Sequence, residues 1–175
     1  MKIELLERGI DVGGLQSALA AHPDLWNQHQ ARTADPASPH HGLDDIWLRF
    51  APQARLTDGP HQSQWYPSAY ALRAAIPAVE AIFERYGGQA LGGVLMTRIP
   101  AGRSCRPHID QGWHARAYEK FALQIHAAPG QRFCFEGETL ETAPGDLFWF
   151  DNQYLHWVEN PTAQDRVTMI ICLKR

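Results

Sequence analysis

From Leu91 onward the chain is cut by turn-forming residues into short runs rich in β-branched and aromatic side chains, and this pattern narrows the fold more than any other feature. The cuts fall at Pro100-Ala101-Gly102, Ala128-Pro129-Gly130, Glu136-Gly137-Glu138, Ala143-Pro144-Gly145 and Asn160-Pro161. Proline fixes φ and lacks a donor, and glycine reaches positive φ freely, so each cluster ends a strand and starts a turn. Between them the expected strands are Leu91–Ile99, Phe121–Ala127, Arg132–Phe135, Thr139–Thr142, Leu147–Phe150, His156–Glu159 and Arg166–Leu173. Strands at this spacing predict a barrel or a sandwich.

The first ninety residues read as mixed helix, loop and strand. Asp11–Ala21 predicts a short helix that stops before His22-Pro23, because proline pushes the residue before it out of helical geometry. Thr33–Gly42, with two prolines and a glycine among small polar residues, predicts a loop, and Ile46–Phe50 alternates like a strand. A second loop is expected over Thr57–Gln64. Beyond it Leu72, Ile76, Val79, Ile82 and Phe83 recur at helical spacing within Ser68–Tyr86. Pro77 falls inside that stretch and predicts a kink or two consecutive helices, and Gly87-Gly88 supplies the stop. No repeat, low-complexity tract or linker divides the chain. It is therefore expected to be one domain over residues 1–175, with residues 1–90 supporting a barrel core at 91–175.

A chain of 175 residues buries most of its apolar surface without disulfides or a structural metal. Cys105, Cys134 and Cys172 are odd in number and form no Cys-x-x-Cys pair, which reads as reduced thiols. No run approaches the roughly 18 apolar residues of a membrane span. The N-terminal stretch is too charged and too interrupted by glycine for a signal peptide, so the expected location is the cytoplasm. A formal charge of -3 without a long basic run argues against a nucleic-acid partner.

His108-Ile109-Asp110 sets an imidazole and a carboxylate two residues apart, and on an extended segment such residues point the same way. Two histidines and one carboxylate on one face leave three positions open on a first-row metal, the arrangement of iron(II) oxygenases. His156, just after Leu147–Phe150, offers the third ligand. With nine histidines in the chain, the His-x-Asp pair alone carries little weight. Arg166 adds to it, standing ten residues after His156 at the head of the apolar run Val167–Leu173. A strand there, antiparallel to the one bearing His156, would carry the guanidinium into the same pocket, where its planar fork suits a carboxylate. A surface salt bridge with Asp165 or Glu159 is the competing role, of equal weight at this point.

The order His-x-Asp, distal His, then Arg resembles the 2-oxoglutarate-dependent oxygenases of the double-stranded β-helix fold, a jelly-roll or cupin-like barrel. More narrowly it is similar to the aspartyl/asparaginyl β-hydroxylase-like branch, which includes bacterial amino-acid hydroxylases. Ile99–Asp110, Gly145–Asn160 and Asp165–Ile171 carry the likeness, and His41–Phe50 resembles an early strand of the same branch. The resemblance implies a mainly β fold with flanking helices and an N-terminal helical region. It implies Fe(II) held by His108, Asp110 and His156, the distal carboxylate of 2-oxoglutarate held by Arg166, and O2 consumed with release of succinate and CO2. Animal enzymes of the branch have glycine where Asp110 stands, so Asp110 sets this chain nearer the three-ligand enzymes. The implied substrate is a small molecule or peptide, as an amino acid or a peptide side chain. A lipid or fatty-acyl substrate is one alternative, and a non-catalytic metal-binding sensor or scaffold is another.

Other residues near these motifs have two readings each. Lys120, Gln124 and His126 share one strand face by alternation, which either lines the pocket or forms the polar outer face of a half-buried strand. On the first reading Lys120 and Gln124 meet 2-oxoglutarate and His126 meets substrate. Thr168 shares the face of Arg166 and either helps hold the same carboxylate or is an interior hydroxyl. Trp113, His114 and Arg116 follow the proximal ligands on a segment able to cover the site. Trp113 and Arg116 are substrate candidates, while His114 reads as solvent-facing. Arg49, Arg98 and the pair His40-His41 read as surface groups, the histidines also as a route of substrate access.

Overall fold

The computed structural model describes residues 1–52 and 59–175. In them the chain runs β1 (Ile3–Glu7), α1 (Gly13–Ala21), β2 (Asp44–Phe50), β3 (Gln64–Trp65), α2 (Pro67–Ala71), α3 (Ala75–Arg85), β4 (Ala90–Ile99), β5 (Ser104–His108) and α4 (Gly112–Ala117). It continues through β6 (Glu119–His126), β7 (Arg132–Phe135), β8 (Glu138–Glu141), β9 (Leu147–Phe150), β10 (His156–Glu159) and β11 (Arg166–Lys174). The strands pair antiparallel into a seven-stranded sheet, ordered β1-β9-β6-β11-β4-β2-β3, and a four-stranded sheet, ordered β5-β10-β7-β8. The result is the jelly-roll arrangement that the resemblance implies, within the barrel or sandwich predicted by the strand pattern.

Period-two alternation sorts the large sheet into two layers. On one face, Val167, Met169, Ile171 and Leu173 of β11 join Phe121, Leu123 and Ile125 of β6 and Val94 and Met96 of β4. They pack against Leu15 and Leu19 of α1, Ala69 of α2, and Val79 and Ile82 of α3. On the other face, Ile99, Ala122, Phe148 and Phe150 meet Cys105, Phe133, Phe135 and Val158 of the small sheet. Because β11 is buried on both faces, it reads as a nearly unbroken apolar run.

Three strands depart from the expected set. The N-terminal β1 pairs with β9 at one edge, and β3 is a two-residue edge strand within the reach of the expected Thr57–Gln64 loop. Residues 57 and 58 of that loop lie outside the described residues. The third, β5, was legible only as an extended segment, because it is polar and contains Pro107. It lies at the edge of the small sheet, where a missing N–H costs no ladder bond. A further difference concerns β11, which pairs with β4 and β6 rather than with the strand of His156. Arg166 therefore approaches His156 across the space between sheets, not along a shared ladder.

The helical stretch divides in two, as expected, but at Leu72–Ala74 rather than at Pro77. Pro77 sits in the first turn of α3, where the N–H it lacks has no intrahelical partner in any case. Helix α3 ends in paired bonds, Gly88 N–H to Phe83 O and Gly87 N–H to Glu84 O, with Gly87 at φ 67°.

Before β9, Pro144 and Gly145 form the centre of a turn closed by Asp146 N–H donating to Ala143 O. Gly145 has φ 87°, and a Cβ there would stand 2.5 Å from the Ile10 carbonyl oxygen. Gly137 has a similar φ of 81° but open space around it. Gly145→Ala is therefore expected to cost about 3 kcal/mol or more, against about 1 kcal/mol for Gly137→Ala. Urea denaturation of the two variants checks this, and equal losses would show that the Ile10 contact does not matter.

Candidate metal centre

His108 ends β5 and His156 begins β10, and the two are direct cross-strand partners with ring centroids 4.3 Å apart. Asp110 follows two residues beyond His108, its backbone N–H held by Asn152 O at 3.1 Å. One donor atom from each of His108, Asp110 and His156 falls within 4.8 Å of the others. Both imidazoles are oriented by the backbone: His108 Nδ1 lies 2.8 Å from Arg106 O, and His156 Nδ1 lies 2.8 Å from Tyr154 O. A carbonyl can only accept, so Nδ1 carries the proton in each ring and Nε2 is left to a metal. Asn152 also donates from Nδ2 to Asp110 Oδ2 at 3.3 Å and to Ala115 O at 3.0 Å, which steadies the carboxylate.

The electrostatics favour a cation among these donors. Burial opposes ionisation of Asp110, but Lys120, His108 and His156 outweigh it and hold the carboxyl well below the usual range. Burial likewise opposes a charge on His108, yet Asp110, Cys105 and the Arg106 carbonyl lift its pKa to about 10. The ionised carboxylate thus draws positive charge to His108 Nε2, 3.5 Å from Asp110 Oδ1. With a metal in place of that proton, two imidazole nitrogens and one carboxylate oxygen on one side fit a first-row divalent ion with open positions opposite.

The three donors open into a cavity between the sheets, lined also by Arg32, His40, Thr97, Lys120, Arg166 and Thr168. Arg166 is 1% exposed, and neither Nη1 nor Nη2 has a hydrogen-bond partner among the described residues. Burial presses its pKa down only to about 10, so it is charged at neutral pH. An unpaired buried guanidinium is costly enough to mark a place for an anion.

Other residues proposed from sequence are dispersed. Lys120 lines the cavity, with Nζ 3.6 Å from Asp110 Oδ2, and Thr168 lines it beside Arg166. Gln124 is fully buried but outside the lining. Its amide donates to Val167 O and His126 O and accepts from the hydroxyls of Thr142 and Thr168, so it ties strands together. His126 does not share its face. A register shift pairs Gln124 with Thr168 but His126 with Val167, which turns His126 to the helix-covered side, beside Trp26 and Arg98. Trp113 packs edge-on among His61, His114 and Tyr118, and Arg116 opens onto a separate surface hollow with Glu119 and Asp151. His114 is packed rather than solvent-facing, accepting the Gly93 N–H at 3.0 Å and stacked on Tyr118. Arg49 donates to Gly92 O, and Arg98 pairs with Asp44.

Three cavity residues escaped the sequence reading. His40, read there as a surface group, stands edge-on to His108 at 4.7 Å. Cys105 packs beside both histidines. Arg32 pairs through Nε and Nη2 with Asp45 at 2.6 and 2.9 Å. The available signal was Asp45 itself, a carboxylate on the inward side of an apolar strand, which requires a buried cation.

A model of the aspartyl/asparaginyl beta-hydroxylase family matches residues 17–175. No curated protein matches the sequence. Among solved structures, a 2OG-Fe(II) oxygenase family oxidoreductase from Burkholderia pseudomallei is similar with TM-score 0.56 and 16% identity, over 97% of this chain and 91% of that one. The viral collagen prolyl hydroxylase of Paramecium bursaria Chlorella virus-1, solved with 2OG, is similar with TM-score 0.57 and 8% identity, over 98% and 95%. A prolyl-4-hydroxylase from Pseudomonas putida gives TM-score 0.53 and 16% identity, over 99% and 92%. At these identities the structural likenesses establish the fold. If Asn152 orients Asp110, Asn152→Ala should weaken Fe(II) binding about ten- to hundredfold in chelator competition, with the fold retained. Unchanged affinity would remove Asn152 from that role.

Proposed function

This chain belongs to the aspartyl/asparaginyl beta-hydroxylase family, and from that premise we propose a 2-oxoglutarate-dependent hydroxylase of an amino acid or peptide side chain, with Fe(II) held by His108, Asp110 and His156. Membership makes the chain a hydroxylase of the dioxygenase class; the substrate, the ligand set and the co-products are the proposal. The single observation that carries it is Arg166, a buried guanidinium with both terminal nitrogens unspent, lining the cavity that holds the three donors. A metal-binding sensor or scaffold has no use for such a clamp.

When bound, iron with 2-oxoglutarate and O2 supplies the oxidising power that turns a substrate C–H into C–OH, the co-substrate leaving as succinate and CO2. The chain's own residues do the rest. His108 and His156 present Nε2 atoms because backbone carbonyls hold their Nδ1 protons. Asp110 remains ionised beside Lys120 and supplies the negative ligand. Arg166 takes the distal carboxylate of 2-oxoglutarate in a forked, charge-assisted pair, with Thr168 on the same strand face as a further donor. The apolar lining of Phe133, Phe150, Val158 and Ile170 excludes water, which strengthens each of these charge interactions.

Anaerobic addition of Fe(II) and 2-oxoglutarate to metal-free protein should produce a visible charge-transfer band that requires both components and is lost in His156→Ala. His108→Ala or Asp110→Ala should abolish 2-oxoglutarate turnover in a folded protein. Arg166→Ala should keep iron but raise the 2-oxoglutarate requirement roughly ten- to hundredfold. Iron bound without a band would point to the sensor reading, and unchanged co-substrate affinity in Arg166→Ala would take Arg166 out of the site.

A further inference from the structure

The loop over residues 30–42 closes the open side of the sandwich between β2 and β5. It is held there by β5: Arg106 donates from its backbone to Pro39 O and from its guanidinium to Pro36 O and Ser38 O. Two of its side chains, Arg32 and His40, become part of the cavity wall. Arg32 is the more informative. Its Nε and Nη2 are committed to Asp45, with Nη2 also donating to Thr97 Oγ1 at 2.6 Å. Asp45 itself is fully buried and receives the Thr97 hydroxyl as well. The guanidinium plane is thereby locked from two strands. Nη1 donates to nothing among the described residues, and 26% of the side chain's surface remains open. An arginine whose only task were to tie the loop to β2 would be complete with these bonds; this one also lines the cavity and keeps a terminal nitrogen to spare.

Charge in the cavity points the same way. Arg32, Lys120 and Arg166 stand against Asp110 and Asp45, which leaves one net positive charge once a metal has replaced the proton on His108 and the histidines are neutral. A divalent metal and a dianionic 2-oxoglutarate together add nothing to that balance. One positive charge is left over, and an anionic group on the substrate would answer it. Lys120 is turned to Asp110 and Arg166 to the co-substrate, so Arg32 is the cation still available. An ammonium group on the substrate would find no partner here, because Asp45 is saturated by Arg32 and Thr97 and Asp110 by its metal and Lys120.

Resting on the reading of the site as an iron and 2-oxoglutarate centre, we propose that Arg32 Nη1 is the substrate anchor and that the substrate enters with a carboxylate that has no ammonium beside it. Such a group belongs either to a small N-blocked or simple carboxylic acid, or to a carboxylate of a peptide. Arg32 is then the residue that selects substrate, in place of Arg116, which faces a different hollow.

The test uses the anaerobic complex of the whole protein with Fe(II) and 2-oxoglutarate, following its visible band as probes are added. The probes are N-acetyl amino acids, the matching N-acetyl amino-acid amides, the free amino acids, and tripeptides ending in carboxylate or amide. N-acetyl acids or carboxylate-ended peptides should perturb the band at concentrations about ten- to hundredfold below their amides. Whichever of the two binds identifies the source of the carboxylate. The preference should shrink in Arg32→Lys, which keeps the charge on Asp45 but loses the fork, and vanish in the charge-neutral pair Arg32→Gln with Asp45→Asn, chosen so that no buried carboxylate is stranded. Equal binding of acids and amides, tighter binding of free amino acids, a preference that survives in the neutral pair, or no response to any probe would overturn the proposal. Absence of the band before any probe is added would overturn the underlying reading of the site instead, and this proposal with it.

Discussion

The structure depends on one constraint: the central strands of the large sheet are buried on both faces, one of them apolar throughout and the other carrying charged groups among apolar ones. Val167, Met169, Ile171 and Leu173 supply a continuous apolar side on which three helices pack. Between them Arg166 and Thr168 point the other way, into the space before the small sheet. A one-residue slip in β11 would send the arginine into the helix layer and the apolar set into the cavity. Folding the apolar face correctly therefore places the charged face correctly. The site needs no separate mechanism to position Arg166, since the same burial that stabilises the sheet fixes it.

The cavity concentrates charge where burial makes charge expensive, and it does so in pairs. Asp45 answers Arg32, and Asp110 answers Lys120. Each pair joins different elements, the first tying the loop over residues 30–42 to β2 and β4, the second joining the end of β5 to β6. Arg166 stands apart, with Cys134 the one group that partly offsets its burial. A fold that leaves one guanidinium unanswered while pairing the others has kept that one for a ligand. The three cations thus differ in what they have left to give: Arg166 both terminal nitrogens, Arg32 its Nη1 alone, while Lys120 is turned to Asp110.

Much of this was legible from the sequence, for identifiable reasons. The strands from Leu91 onward were visible because apolar runs and proline–glycine turns coincide, and three of them, at Arg132, Leu147 and His156, match the structure at both ends. The three candidate metal donors, which the structure brings together, were visible because they lie at strand ends in a recognisable order. His126 was misplaced because alternation carries a face assignment only as far as the next bulge, and the register shift before Val167 falls between Gln124 and His126. Arg32 and His40 were invisible because a loop has no period from which to read direction. Their contacts come from a closing loop whose path is set by Arg106, far away in sequence.

Asp110 shows how the site and the sheet limit one another. Lys120 enters the cavity because it alternates with Phe121, and Phe121 belongs to the helix-covered core. Burial pushes its pKa down, but Cys172 and Asp110 more than compensate, and the net shift is upward. Cys172 is a poor source of negative charge, since burial pushes its thiol up. Asp110 is therefore the carboxylate on which the charge of Lys120 rests. A glycine in its place would remove one of the three candidate metal donors and also strand an ammonium inside the cavity, at a cost on the order of several kcal/mol. The three-donor arrangement proposed for this chain thus follows from its sheet: once Lys120 faces inward, the position after His108-Ile109 has to carry a negative charge.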